Sequence, residues 1–181
     1  MRYWVAIFLT GLVVSLTAGS VMSAPHLDRS ELYSGGAWRV ELTVDTDGGD
    51  LWCSASTRNR AGQSFDLTLY DSGRIALFVT DPRWDLAQRD VSFGLDVDGG
   101  FWRLRGRAQG TSIGAALPSG SDAVELLERI SVGRRATLIN NRRLPVANFA
   151  LQGGDRAFVE LYDCASKISD DHALQVSADP F

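Results

Sequence analysis

Lysine and histidine are nearly missing from this chain of 181 residues. Lys167 is the one lysine among 18 basic residues, and His26 and His172 are the 2 histidines. Both histidines stand in polar segments near the ends, which leaves little for metal ligation or general-base chemistry. Cysteine is as scarce: Cys53 and Cys164 make up the total, so there is no CxxC pair. A nucleophile elbow, an HExxH helix and a phosphate loop are all absent. Base is outweighed by acid, 18 residues against 22, for a net charge of -4. Nucleic-acid binders need a basic face, so nucleic acid is not expected as a partner. The acids Asp81, Asp85 and Asp90 lie in an irregular charged segment and predict a solvated loop rather than a glycosidase pair. No catalytic residue, metal ligand or cofactor is expected.

Long apolar runs are also lacking, save one. Val5–Ala18 is a 14-residue apolar stretch behind Arg2. It is short for a membrane span and right for a signal-peptide core. The small residues of "GSVMSA" follow, and cleavage after Ser23 puts Val21 and Ser23 at the recognition positions. Residues 1–23 are therefore expected to be a removed leader, with an uncleaved anchor as the alternative. No second run approaches the length of a span, so the mature chain is expected to be periplasmic or secreted, without stable membrane insertion. Loss of Arg2 takes the net charge from -4 to -5. An even cysteine count in an exported protein favours a disulfide between Cys53 and Cys164. Two buried free thiols or a catalytic thiol are the alternatives, the last lacking a nearby base.

What is present is mostly alternation. Residues 24–36 lack a period and predict an N-terminal arm. "WRVELTV" places Trp38, Val40, Leu42 and Val44 on one face, a half-buried strand. "LWCSAS" is its partner, carrying Cys53. "SFDLTLY" and the apolar "IALFVT" flank "DSGR" as a hairpin. "VSFGLDV" alternates through Val91, Phe93, Leu95 and Val97, and "FWRLRGR" returns. After a loose, small-residue stretch with a short strand at "SIGAAL", the texture changes. "SDAVELLERISVG" has Asp122 as expected N-cap, Glu125 three residues on, and Val124, Leu127 and Ile130 on one face. "ATLIN" and "LPVANFAL" predict strands around "NNRR". From Asp155 to Ile168 the apolar residues Ala157, Phe158, Leu161, Cys164, Ala165 and Ile168 form one helical stripe. Residues 169–181 predict a flexible acidic tail. The whole predicts one mostly β domain over 37–168, a β-sandwich or partly open antiparallel barrel. Two short helices in its C-terminal half pack on the sheet.

The order of these elements resembles the invasion-associated locus B family of exported bacterial proteins. "GLDVDGG" is similar to that family's strand and turn. "DAVELLERISVGRRATLI" is similar to its helix, glycine stop and strand, and "ANFALQGGDRAFVELYDC" to its closing strand and helix. Trp38 ahead of the Cys53 strand fits as well, so the resemblance spans about 38–168. The chain departs in having "RGRAQGTSIG" where a mid-domain cysteine pair is often found. The resemblance implies an envelope-associated, non-enzymatic β domain and brings no catalytic residues.

Two echoed stretches, "VDTDGGD" at 44–50 and "LDVDGG" at 95–100, have the composition of calcium loops. Such a loop needs ligands at positions 1, 3, 5 and 12 with glycine at 6. Counted from Asp45, glycine comes at position 4 and Ser56 at 12; counted from Asp96, Arg107 stands at 12. Both stretches therefore predict hairpin turns. Binding is the remaining chemistry. Trp84, between Arg83 and Asp85 in "TDPRWDL", either meets a partner or plugs the core. Arg103, Arg105 and Arg107 share a strand face, and either meet an anionic partner or pair with acids across the sheet. The expectation is an exported, disulfide-stapled, non-catalytic protein that binds an envelope or host protein. An inhibitor of a lytic enzyme or protease, or a hydrolase with an unrecognised site, are the alternatives. The sequence does not give the oligomeric state.

Overall fold

A computed structural model of the chain describes residues 26–117 and 120–178, and side chains as far as Ser169. The expected leader, its cleavage site, the last tail residues and the side chain of His172 lie outside the described residues. Ten strands make one antiparallel sheet: β1 (Leu27–Gly35), β2 (Trp38–Asp45), β3 (Leu51–Arg58), β4 (Ser64–Tyr70), β5 (Ile75–Thr80), β6 (Leu86–Val97), β7 (Gly100–Gly110), β8 (Ser112–Ala116), β9 (Arg135–Ile139) and β10 (Pro145–Ala150). The sheet order is β1-β2-β3-β4-β5-β8-β7-β6-β9-β10. Helix α1 (Ser121–Val132) leads into β9, and α2 (Gly154–Ala178) follows β10.

Alternation sets the two faces. Trp38, Val40, Cys53, Ala55, Phe65, Leu67, Leu77 and Val79 point inward with Phe93, Leu95, Ala136, Leu138 and Phe149, and one hydrophobic core joins them all. The sheet curves until β10 comes beside β3, but the two do not pair as strands, so it stays open. Side chains bridge the seam instead. Thr57 Oγ1, Asn59 Nδ2 and Gln63 Nε2 donate to the carbonyls of Ala150, Asn148 and Val146, at 3.2, 3.1 and 3.5 Å. These are alternate residues of β10, so its outer-edge carbonyls are each met by a side chain.

The α2 stripe lies as expected. Ala157, Phe158, Leu161, Cys164 and Ile168 are buried, and the helix rests on β2, β3 and β4 and against α1. Cys164 is bonded to Cys53 across 111 residues. On the chain-entropy argument that link is worth about 4–5 kcal/mol.

Five expectations need correction. The arm of 24–36 contains β1, paired with β2. It shows no alternation because it is an edge strand, largely exposed, with a register shift between Glu31 and Tyr33. Strand β6 begins at Leu86, inside the segment expected to be irregular, since its first half is solvent-exposed and needs no apolar pattern. Asp122 is not the N-cap: Gly120 holds that position and no side chain caps the helix. The buried face of α1 is Ala123, Leu126, Leu127 and Ile130, at i, i+3, i+4 and i+7, while Val124 is 54% exposed. Helix α2 continues to Ala178 through the expected tail, which has no glycine or proline to stop it before Pro180.

Candidate functional site

Both Asp/Gly stretches are turns. Asp45 Oδ1 accepts from the N–H groups of Asp47 and Gly48, at 3.0 and 3.1 Å, and Gly49 has φ 78. In the second, Asp98 and Gly99 have φ 48 and 87 between the paired Val97 and Gly100. Positive φ at both central residues is the two-residue hairpin turn that matches strand twist. Asp96 Oδ1 accepts from Gly99 N–H, and Asp98 Oδ2 from Arg134 N–H at 2.7 Å. The carboxylates named here are spent on backbone. Among the described residues no three His, Cys, Asp or Glu gather as metal ligands.

The "TDPRWDL" segment is held from below by Asp81, whose side chain is 2% exposed. Asp81 Oδ1 accepts from the backbone N and Nε of Arg83, both at 2.9 Å. Its Oδ2 accepts from Arg83 Nη2 at 2.7 Å and from Gln63 Nε2 at 2.8 Å. The Arg83 hydrogen bonds, helped by Gln63 and opposed by burial, hold the Asp81 carboxyl well below the usual carboxylate range. Gln63 also accepts from Asn59 Nδ2, so this network continues into the seam with β10. Arg83 is therefore engaged locally, and Asp85 is exposed. Trp84 is half-buried and packs against the core.

Arg103, Arg105 and Arg107 do share the outer face of β7, all exposed. Arg107 Nε lies 3.7 Å from Asp90 Oδ1, an exposed pair that contributes little stability. Arg103 and Arg105 stand opposite Gly94 and Ser92 rather than acids. Among the described residues no salt bridge includes either of them.

The sequence treats Trp84 and the arginine stripe as separate features. The structure brings Trp84 and one member of the stripe, Arg103, to the two sides of one opening, which alternation along single strands does not reveal. Strand β6 pairs with β7 from Leu86 to Val97, with a register shift between Leu86 and Arg89, but with β9 only over Gly94–Val97. At Ile139 strand β9 stops and the chain turns, with Asn140 Oδ1 accepting from Arg142 and Leu144 N–H. A notch is left between the first half of β6 and this turn. On its core side is a cleft of about 490 Å³, walled by Trp84, Leu86, Val91, Phe93, Leu138 and Val146, with Arg89 and Asp90 at its rim. On its outer side is a second of about 410 Å³, bordered by Gly94, Phe101, Arg103, Ile139 and Arg143. Ser92, Phe93, Asn140 and Asn141 line both. Phe101, 54% exposed, lies over Gly94, where a Cβ would come within 2.6 Å of the ring. Asp90 is the one carboxylate lining either cleft.

No family model matches the chain, and no curated protein matches it. The chain is similar to a solved structure, the invasion associated protein b of Bartonella henselae. The two share 14% identity, the likeness covers 72% of this chain and 95% of that one, and the TM-score is 0.49. Among the described residues no helix is long and apolar enough to cross a membrane.

Proposed function

We propose that this protein is exported by an N-terminal leader, cleaved after Ser23, and acts without catalysis in the periplasm or beyond as a binding module for an envelope or host protein. The observation that carries the binding reading is the notch between β6 and β9. It combines an aromatic, apolar wall with unpaired arginine, the composition of an interaction surface. With Asp90 as its single carboxylate, the notch lacks the second acid that paired-carboxylate hydrolysis requires. The Cys53–Cys164 bond supports an oxidising compartment.

Two measurements test this. The full chain is expressed with its own N-terminus and the cells are fractionated; the periplasmic species is expected to have the mass of residues 24–181 with one disulfide. Full-length protein confined to the cytoplasm would overturn export. The mature protein, immobilised, is then exposed to envelope extract beside a Trp84→Ala variant. One dominant partner that the variant loses is the expected result, and no enrichment over bare resin would count against binding.

A further inference from the structure

Apart from the exposed edge β1, two strand edges of the sheet are treated differently. Along β10 the outer carbonyls of Val146, Asn148 and Ala150 are taken by Gln63, Asn59 and Thr57. That edge is closed to a new strand. Along β6, Arg89 Nη1 donates to the Ala87 carbonyl at 3.2 Å, and among the described residues no side chain bonds the backbone from Arg89 to Phe93. From Arg89 to Phe93 the strand pairs with β7 on one side, and on the other β9 has already ended. In an antiparallel strand every second residue directs its N–H and C=O to each neighbour. Half of this stretch therefore offers backbone donors and acceptors to the open notch. A free edge above an apolar cleft is the geometry of strand addition, where backbone bonds give affinity and side-chain pockets give selectivity.

The two sides of the notch define what would fit. A strand laid along Arg89–Phe93 points alternate side chains to opposite faces of the sheet. One set would enter the core-side cleft among Trp84, Leu86, Val91, Phe93, Leu138 and Val146. The other would emerge on the outer side between Arg103 and Arg143, where Asp90, the acid of this stretch, already lies 3.7 Å from Arg107. Charge complementarity there favours carboxylates, and the core side favours aliphatic groups.

We infer that β6 residues Arg89–Phe93 accept an extended peptide segment of a partner protein as an added strand, and that the segment alternates apolar with acidic residues. This rests on the binding reading above and names the partner's chemistry. The turn at Asn140–Leu144 marks where the added strand takes over from β9.

The test uses the mature protein with its disulfide intact and a fluorescein-labelled peptide of alternating valine and glutamate, read by anisotropy. Saturable binding is expected. N-methylation of the amides on one edge of the peptide should weaken it at least tenfold, and methylation of the opposite edge should have little effect. Arg103→Glu should weaken the glutamate peptide and strengthen one in which lysine replaces glutamate. Amide exchange at Arg89–Phe93 should slow in the complex. Absence of binding, or binding indifferent to which edge is methylated, overturns the inference. Capture of an envelope partner that survives such a failure leaves the binding reading standing, so the two fail separately.

Discussion

The indole Nε1 of Trp38 donates a buried 2.9 Å hydrogen bond to the carbonyl of Leu151, 113 residues later in the chain. The same ring meets Phe65 and Phe158 edge-on, at centroid distances of 6.4 and 5.7 Å. One side chain near the start of the domain thus fixes the entry to α2 and the helix itself. Trp38→Phe keeps an aromatic but removes the donor and leaves a void. It should destabilise by about 2 kcal/mol, lowering the urea midpoint with an unchanged slope.

Cys53 is fully buried and Cys164 nearly so, at 0% and 5% exposure. Reductant should leave the bond intact in native buffer and cleave it once urea opens the core, as free-thiol counting would show. The paired variant Cys53→Ala, Cys164→Ala should be less stable by about 4 kcal/mol on the loop-entropy argument.

Two aspartates should give opposite pH signatures. Asp81 in the folded protein titrates below its unfolded value because Arg83 bonds its ionised form. Its stabilising contribution is present above the ordinary aspartate range, about pH 4, and disappears as pH falls through the lower folded value. Asp81→Asn should lower stability at neutral pH, and the gap to wild type should close in acid. Asp66 goes the other way: burial raises its carboxyl, partly opposed by the Ser64 hydrogen bond. Its favourable contribution exists at low pH and is lost as pH rises through the raised value, so Asp66→Asn should gain on wild type towards neutral pH. Denaturant midpoints at several pH values check both.

Glycine substitutions should separate rigid from yielding contacts. A Cβ at Gly106 would overlap the backbone carbonyl of Gly114, which cannot step aside, whereas one at Gly94 crowds the exposed Phe101 ring and otherwise makes an ordinary 3.5 Å contact with Ile139 Cβ. Gly106→Ala should cost about 3 kcal/mol and Gly94→Ala less than about 1. The latter should still move Phe101 away from the outer side of the notch, visible as a shift of its ring protons.

The hairpins β2–β3 and β6–β7 were legible because Trp38 to Val44 and Val91 to Val97 alternate openly, and β4–β5 was legible from an alternating strand and an apolar run on either side of a short turn. The α2 stripe was legible for the same reason at helical period. Elements without a dry face escaped. Strand β1 is an exposed edge, and Leu86–Asp90 is held by β7 alone. The face of α1 was misplaced by one residue because Val124 is apolar yet solvent-facing. The notch was illegible in principle from one strand at a time. It exists because β6 has 12 residues and β9 has 5, a mismatch that matters only once the two are known to be neighbours. The unequal lengths were the available signal.

The bond between Cys53 and Cys164 also imposes an order in time. A chain emerging N-terminus first exposes Cys53 and the apolar face of β2, β3 and β4 long before the helix that covers them has appeared. Until Cys164 arrives, Cys53 has no partner within its own chain, and the only thiol it can meet belongs to another molecule. Completion of this domain is therefore postponed until α2 has emerged, and crowding of unfinished chains, rather than heat or denaturant, is the condition under which mispaired dimers should accumulate.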